Sequence, residues 1–279
     1  MLFIGKYNYL EINRVTSVGL FLRDVEGDEV LLPNKYCTDD MQLEDTVKVF
    51  VYNDSEDRPV ATTLTPKLIR NEYGYLEVKD VSSNGAYLDW GLEKDLFVPF
   101  REQLEPMRVG EKYIVYLYLD RMTDRLLASA KWKKYLDNER LIVAEGDEVD
   151  LLVAERTDLG YNVIVNNFHK GLVYANEIFK PVNVGDRLKG YVKQIREENK
   201  LDISLQKIGY ANVEDHSKEL LEVLKANNGY LDLNDSSSPD VIQKRLKMSK
   251  KTFKKAVGGL FKQGLITLEE EGIRLVVKD

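Results

Sequence analysis

The sequence predicts a mainly β chain: three small five-stranded barrels in tandem, then a mixed segment of helices and a hairpin at the C-terminal end. Three observations carry this. Landmark residues recur at constant offsets through the first three quarters of the chain. Each recurrence is filled with short period-two runs rich in Tyr, Val, Leu and Ile, the signature of half-buried strands. From Val213 the period changes to that of amphipathic helices.

Gly19 of VGLFL, Gly85 of NGAYL and Gly160 of LGYNV are separated by 66 and 75 residues, as are Pro33, Pro99 and Tyr174, and Glu44, Gly110 and Gly185. Arg58, Arg125 and Lys200, which lead the last run of each copy, are separated by 67 and 75, a slip of one loop residue. Several landmarks held in register imply duplication, since β composition alone produces only single coincidences. Strands are expected at 7–14, 18–23, 28–32, 46–52 and 59–64 in the first copy. They follow at 75–81, 85–90, 95–98, 112–119 and 125–130 in the second, and at 147–155, 160–166, 170–174, 187–194 and 200–205 in the third. Open edges on so small a sheet invite mispairing. Closure removes them, and the usual five-stranded closed form is the OB fold. The divisions follow as 1–66, 67–138 and 139–208 for the barrels and 209–279 for the remainder.

In that remainder Leu220, Leu221, Val223 and Leu224 mark a helix that Asn227-Asn228-Gly229 stops. A short run, GYLDL, and a polar loop from Asn234 to Ser238 precede Pro239, which opens a second helix. Ser249 caps a third, SKKTFKKAVGGLFKQ, closed by Gly264. Its Phe253, Ala256, Val257, Leu260 and Phe261 form one core-facing stripe, with Lys251, Lys255 and Lys262 opposite. Gly258-Gly259 inside the helix predicts close packing of a neighbour or a bend. LITLEEEGIRLVV reads as a hairpin turning at Glu271-Gly272. This order is that of an α+β winged helix-turn-helix domain, whose second helix of the pair normally meets nucleic acid.

Composition narrows the chemistry. Of the 279 residues 31% are charged and 43% hydrophobic, a globular balance. No apolar run approaches the ~20 residues of a membrane span, and MLFIGKYNYLEI has charge where a signal peptide needs an apolar stretch. Cys37 as the lone cysteine forbids an internal disulfide and fits a reducing cytoplasm. With His169 and His216 alone beside it, the usual zinc ligand sets cannot be assembled; an all-carboxylate magnesium site stays open. There is no P-loop and no Ser or Cys triad. The expectation is a cytoplasmic, non-catalytic protein with no cofactor and no membrane partner. Net charge is −7, yet Asp240 to Gly264 holds eight cations and one acid, a local +7 in an acidic chain. Such asymmetry is the footprint of an anion-binding face.

NGAYLDW, DLFVPF and VGEKYIVYLYLDRMTDRLLASAKW in the second copy resemble the S1 RNA-binding domain, as do KGLVYANEI, VNVGDRLKGYVKQI and KLDISLQK in the third. The first, with VGLFLRD and LEDTVKVFVYN, is the most diverged. Three S1-like units and a winged helix resemble, over the whole chain, the bacterial conserved virulence factor B family of YitL-like S1 proteins. The resemblance implies an RNA-binding regulator without a catalytic centre. The S1 pattern places a base-stacking aromatic where Phe21 and Tyr87 stand; the third copy has Asn162 there with Tyr161 beside it. The S1 histidine position holds Pro33, Pro99 and Tyr174, so only Tyr174 is able to stack there. The closing Asp and Arg positions are filled by Asp54 with Arg58 and by Asp120 with Arg125, and in part by Lys200.

Phe100, Arg101, Trp90, His169 and Lys170 fall near the same face, with Trp90 open to a core or a contact role and His169 placed by NNFHKG in an exposed loop. Lys250, Lys251, Lys254 and Lys255 are the densest cationic cluster, giving screened, sequence-independent attraction to phosphate. Beyond them the helix offers only Thr252 and Gln263, with no Arg or Asn for bidentate base reading, and Glu269, Glu270 and Glu271 make the wing acidic. Single-stranded RNA is therefore the expected partner. A DNA-binding transcription regulator using the winged helix, or a protein-interaction adaptor with degenerate barrels, are the alternatives.

Overall fold

The structure, a computed structural model, describes residues 1–206 and 211–276, in two compact units, Met1–Tyr135 and Leu136–Asp279. The expected boundary at 208/209 lies outside the described residues. In the first unit, β1 (Lys6–Thr16), β2 (Gly19–Arg23), β3 (Glu29–Pro33), β4 (Thr46–Asn53) and β5 (Pro59–Thr62) form a closed barrel of order β1-β2-β3-β5-β4. They are followed by β6 (Tyr73–Ser82), β7 (Gly85–Leu88), β8 (Leu96–Pro99), β9 (Lys112–Asp120) and β10 (Arg125–Ser129). In the second unit, β11 (Glu148–Thr157), β12 (Gly160–Val165), β13 (His169–Tyr174), β14 (Arg187–Arg196) and β15 (Lys200–Ser204) close a barrel of the same order as the first.

The middle copy departs from the expected closed barrel. Its strands run β10-β9-β6-β7-β8, and β8 and β10 lie close together without a ladder. Closure tracks the residue at one equivalent position. Gly171 sits where β13 pairs with β15 over three residues, Val30 where β3 meets β5 through the single pair Leu31–Val60, and Leu96 where no pairing forms. A Cβ on Gly171 would stand 2.7 Å from Ile203 Cγ1, so a side chain there would have to displace Ile203.

The landmark residues meet one another. Gly19 pairs with Pro33, Gly85 with Pro99 and Gly160 with Tyr174. A Cβ on these glycines would lie 2.1, 2.2 and 2.0 Å from the carbonyl oxygens of Leu32, Val98 and Val173. Contact that close admits no side chain, so each glycine sets how its hairpin is registered. The hydroxyls of Thr16, Ser82 and Thr157 donate to the carbonyls of the same glycines. Each first strand also bulges at the equivalent place, between Ile12 and Arg14, Val78 and Asp80, and Val153 and Glu155. At the turn before the fourth strand, the N–H groups of Glu44, Gly110 and Gly185 donate to the carbonyls of Ile12, Val78 and Val153. Their φ angles are 72°, 84° and 96°, so Glu44 holds a left-handed conformation that glycine fills in the other copies.

Alternation sends one face of each strand inward. Leu20 and Leu22 with Val30 and Leu32 enter the first core, and Ala86 and Leu88 with Leu96 and Val98 the second. Phe50, Tyr52 and Val60 of the first copy share the second copy's core, where Phe50 and Tyr52 meet Trp90 edge-on at 5.8 and 6.1 Å. The two barrels of this unit are thus joined by a shared aromatic core.

The second unit ends in α1 (Ala211–Ala226), β16 (Tyr230–Leu231), α2 (Pro239–Leu246), α3 (Lys250–Lys262), β17 (Ile266–Leu268) and β18 (Ile273–Leu275), the winged-helix order. The sheet runs β16-β18-β17. Ser238 and Ser249 cap α2 and α3, accepting from the N–H groups of Val241 and Thr252. Leu220, Leu224, Ile242, Phe253, Ala256, Val257 and Leu260 pack with Ile266 and Ile273 into one core. Among the described residues no helix is long and apolar enough to cross a membrane.

Because Trp90 and Trp132 are both buried in the first unit, its unfolding is readable by their fluorescence. Urea titration is expected to show Gly85→Ala destabilised by about 3 kcal/mol, and Glu44→Gly stabilised by about 0.5 kcal/mol, the left-handed strain relieved less the entropy of a new glycine. A neutral Gly85→Ala would show that the close approach does not set the register.

Candidate nucleic-acid interface

The conserved register puts three residues side by side on the outer face of each barrel. In the first the row is Arg14, Phe21 and Leu31, in the second Asp80, Tyr87 and Phe97, in the third Glu155, Asn162 and Leu172. The rows differ chemically. Arg14 lies over the Phe21 ring at 3.6 Å while paired to Glu29 at 3.0 Å, so that face of the aromatic is already covered. Asn162, nearly buried, donates to Glu155 at 2.7 Å. Tyr87 and Phe97 are half-buried, with ring centroids 5.1 Å apart and planes inclined by 37°. Only this row presents two rings.

Tyr87 and Phe97 line a groove of about 950 Å³ that also takes in Asp120 and Arg125, so three of the expected binding residues are brought together. The remaining wall includes Asn53 and Asp57 from the first barrel, and Asp80, Lys94, Asp95, Phe100 and Arg101 from the second. Lys94, Arg101 and Arg125 face Asp57, Asp80, Asp95 and Asp120, an acid excess of one. Asp57 ties up two of the cations. Lys94 Nζ lies 3.0 Å from Asp57 Oδ1 and 2.5 Å from the Asp54 carbonyl, and Arg125 Nη2 lies 2.5 Å from Asp57 Oδ2. The sequence pattern couples Arg125 to Asp120, but Asp120 instead accepts from the Thr123 hydroxyl at 2.8 Å. In the first copy the expected pair does form: Arg58 Nε and Nη2 donate to Asp54 Oδ2 at 3.0 and 2.8 Å. Partial burial works to raise the Asp54 carboxyl, and the Arg58 guanidinium with the N–H groups of Arg58 and Glu56 outweighs it, leaving the group below its usual range.

The remaining expected residues are dispersed. Tyr161 packs against the core of the third barrel, whereas Tyr174 is half-buried opposite Gly160. Lys200 pairs with Glu198 at 2.5 Å. Lys170 is exposed, with its backbone N–H and carbonyl both held by the Asn138 amide. One open reading is settled and one expectation needs correction. Trp90 is core, 2% exposed, its indole N–H donating to the Lys94 carbonyl. His169 is not in an exposed loop: it is 1% exposed at the start of β13, its Nε2 accepting from the Ile142 N–H at 3.2 Å and its Nδ1 against the Asp137 carbonyl. The ring fastens β13 to the segment that holds Asp137 and Ile142.

On α3 the lysines are arranged differently from the barrel cations. Lys254 lies 3.3 Å from Asp235, both exposed; Lys250, Lys251 and Lys255 have no ion pair among the described residues. The first turn of α3 holds no acid. Lysines there oppose the positive end of the helix dipole, an arrangement that an incoming anion relieves. The expected apolar stripe is one residue too wide. Phe261 is 51% exposed, with no cover from the described residues on that side of the last turn. Gly258 also differs from expectation: a Cβ there would meet nothing within 4 Å, and α3 runs unbroken from Lys250 to Lys262. In the wing, Glu269 pairs with Arg274 at 2.5 Å, leaving Glu270 and Glu271 exposed.

Barrels with an outer-face aromatic position, followed by a winged helix with a bare lysine face, define a tandem protein of nucleic-acid-binding domains. The S1 domain model matches residues 4–64 and 72–131, and the CvfB-like winged helix domain model matches 218–275; the third barrel lies outside these ranges and is placed by its geometry. The chain is 30% identical over 278 residues to YitL of Bacillus subtilis (strain 168), covering 95% of this chain and 91% of the relative. It is 24% identical over 290 residues to conserved virulence factor B of Staphylococcus aureus (strain N315), covering 99% and 95%. A crystal structure of a multidomain protein with nucleic acid binding domains from Streptococcus pneumoniae TIGR4 matches with a TM-score of 0.43 at 24% identity over 98% of each chain. The chain belongs to the conserved virulence factor B family.

The groove residues Phe97, Asp80 and Asn53 were not singled out by sequence. The offsets that align Leu31 with Phe97 and Leu172 contain the signal for the first, and the bulge that aligns Arg14 with Asp80 that for the second.

With open space around it, Gly258→Ala is expected to stabilise the winged-helix domain by about 0.5–1 kcal/mol, measured by thermal melting followed at the helical circular dichroism band. Destabilisation would mean that α3 does meet a neighbour there.

Proposed function

We propose that this is a non-catalytic, cytoplasmic RNA-binding protein that takes single-stranded RNA and acts in control of bacterial gene expression, with domains at 1–66, 67–138, 139–208 and 209–279. The observation that carries the reading is the set of uncompensated lysines on α3. Lys250, Lys251 and Lys255 have no carboxylate partner among the described residues and stand at a helix N-terminus, in a chain whose net charge is −7. Elsewhere Arg58, Arg125 and Lys200 are each already neutralised by a neighbour. A polyanion gains most where charge is not yet paired, so the helix supplies the electrostatic grip and Lys254 joins at little loss of its exposed pair.

Preference for a single strand rests on the barrels. Unstacked bases need aromatic faces, and the groove with Tyr87, Asp120 and Arg125 offers them; Phe21, Tyr161, Lys170 and Tyr174 are secondary candidates. Duplex DNA is disfavoured by the acidic wing and by the lack of Arg or Asn on α3 for bidentate reading.

Titration of the full-length chain at about 50 mM and about 200 mM salt should show single-stranded RNA bound more tightly than duplex DNA at both, with a steep loss at the higher. Duplex binding as strong as RNA binding would overturn the reading. In the Lys251→Glu, Lys255→Glu double variant the slope of log affinity against log salt should flatten by at least about 1.4, the loss of two phosphate contacts to a single strand. An unchanged slope would move the electrostatic contact off α3.

A further inference from the structure

We infer that the groove of the second barrel selects a guanine base, with the Asp80 carboxylate reading its Watson–Crick edge. This rests on the single-strand RNA reading above and adds base selection to it. The platform is the Tyr87–Phe97 pair, the one outer row with two rings. Arg14 occupies the equivalent place beside Phe21, and Glu155 holds Asn162 in the third barrel. In the second barrel the register shift between Val78 and Asp80 brings Asp80 opposite Tyr87, on the face that carries the rings. A bulge that re-aims a side chain is a common device beside binding sites.

The groove holds more acceptors than the chain can satisfy. Asp80 is exposed, receives one hydrogen bond from the Val81 N–H at 2.8 Å, and has no ion pair among the described residues. Asn53 is 6% exposed; its amide nitrogen donates to the Asp57 carbonyl at 3.3 Å, but its Oδ1 is buried with no partner. Asp95 Oδ1, also buried, is held by its ion pair with Lys79 Nζ at 3.4 Å, so Asn53 Oδ1 is the acceptor left without a partner. Buried acceptors left unpaired carry a desolvation penalty that a donor-bearing ligand removes. Meanwhile Lys94 and Arg125 are held by Asp57, and Arg101 alone of the groove cations is exposed without an ion pair among the described residues. One phosphate at Arg101 and a flat ring with donor edges on the platform is what this set fits.

Among the bases guanine meets the condition best. Its N1–H and N2 amino group lie side by side and match the two oxygens of one carboxylate, in the manner of a bidentate guanidinium pair. Adenine and cytosine set their amino group next to a ring acceptor, and uracil sets its imino group between two carbonyls; each would place an acceptor against the Asp80 charge. The same chemistry is presented by guanine within an RNA strand and by a free guanine nucleotide.

The test uses the full-length chain and dye-labelled oligouridine octamers carrying one central G, A, C or inosine, read by fluorescence anisotropy. The G octamer should bind about tenfold more tightly than the A and C octamers. Inosine, which lacks the N2 amino group, should lose most of that gain. Asp80→Asn should erase the preference for the G octamer over the A and C octamers. Competition with GMP separates the sources: displacement of the G octamer to all-U affinity assigns a free nucleotide, and no displacement assigns guanine in the strand. Equal affinity for all octamers, or a preference that survives both Asp80→Asn and Asp80→Ala, overturns guanine selection and leaves the RNA reading intact. Failure to bind any octamer overturns the RNA reading itself. If an arginine-rich peptide displaces no octamer but its binding is abolished by Asp80→Ala, the groove is a peptide site and the inference falls.

Discussion

The close approach of Gly19, Gly85 and Gly160 to the carbonyls of Leu32, Val98 and Val173 is the constraint on which the barrels depend. It cannot be relaxed by moving a flexible side chain, because the atom facing each glycine is backbone. With that contact fixed, the second and third strands have one register, the inward residues one set of cross-strand neighbours, and the outward residues another. A one-residue slip would turn every core side chain outward. The hydroxyl bonds from Thr16, Ser82 and Thr157 and the bulge in each first strand recur because they are built around the same anchor.

A rigid anchor leaves the outer row free to vary, and it has done so in three directions. Arg14 caps its aromatic, Glu155 holds an amide, and Asp80 stands beside a pair of rings. Charge is divided along the chain as well. On the barrels the cations expected to bind are largely held in local pairs with carboxylates, each such exposed pair contributing at most about 1 kcal/mol. On α3 three of four lysines are free of such pairs among the described residues. The cations without ion pairs among the described residues are thus concentrated on α3, and the paired outer rings on the second barrel.

Much of this was legible in the residues. Strand ranges were readable because alternation has a period of two and a barrel needs an inward face. The landmark spacing gave the repeat because a backbone contact that admits only glycine leaves a visible residue. What escaped depended on partners distant in sequence. Arg125 pairs with Asp57 of the preceding barrel, which no local pattern indicates. His169 lies in a polar stretch, but Asp137 and Ile142 supply both ring partners, and a polar neighbourhood in sequence became a buried one in space. Phe261 keeps helical spacing with the core, yet none of the described residues covers it at the end of α3. The missing ladder between β8 and β10 in the middle copy also escaped, because strand periodicity does not show whether the first and last edges meet.

Asp57 belongs to one barrel and grips Lys94 and Arg125 of the next, so a single carboxylate is both a groove wall and a clasp across the joint. Occupancy of the groove and attachment of the two barrels are then linked functions. An anion that draws Lys94 or Arg125 away loosens the clasp, and by reciprocity any force that opens the joint frees cations for the anion. The shared packing of Phe50, Tyr52 and Trp90 keeps the barrels together while the clasp exchanges partners. The joint thus has a dry half, with Trp90 at its centre, and a wet half sensitive to ionic strength, and both border the groove.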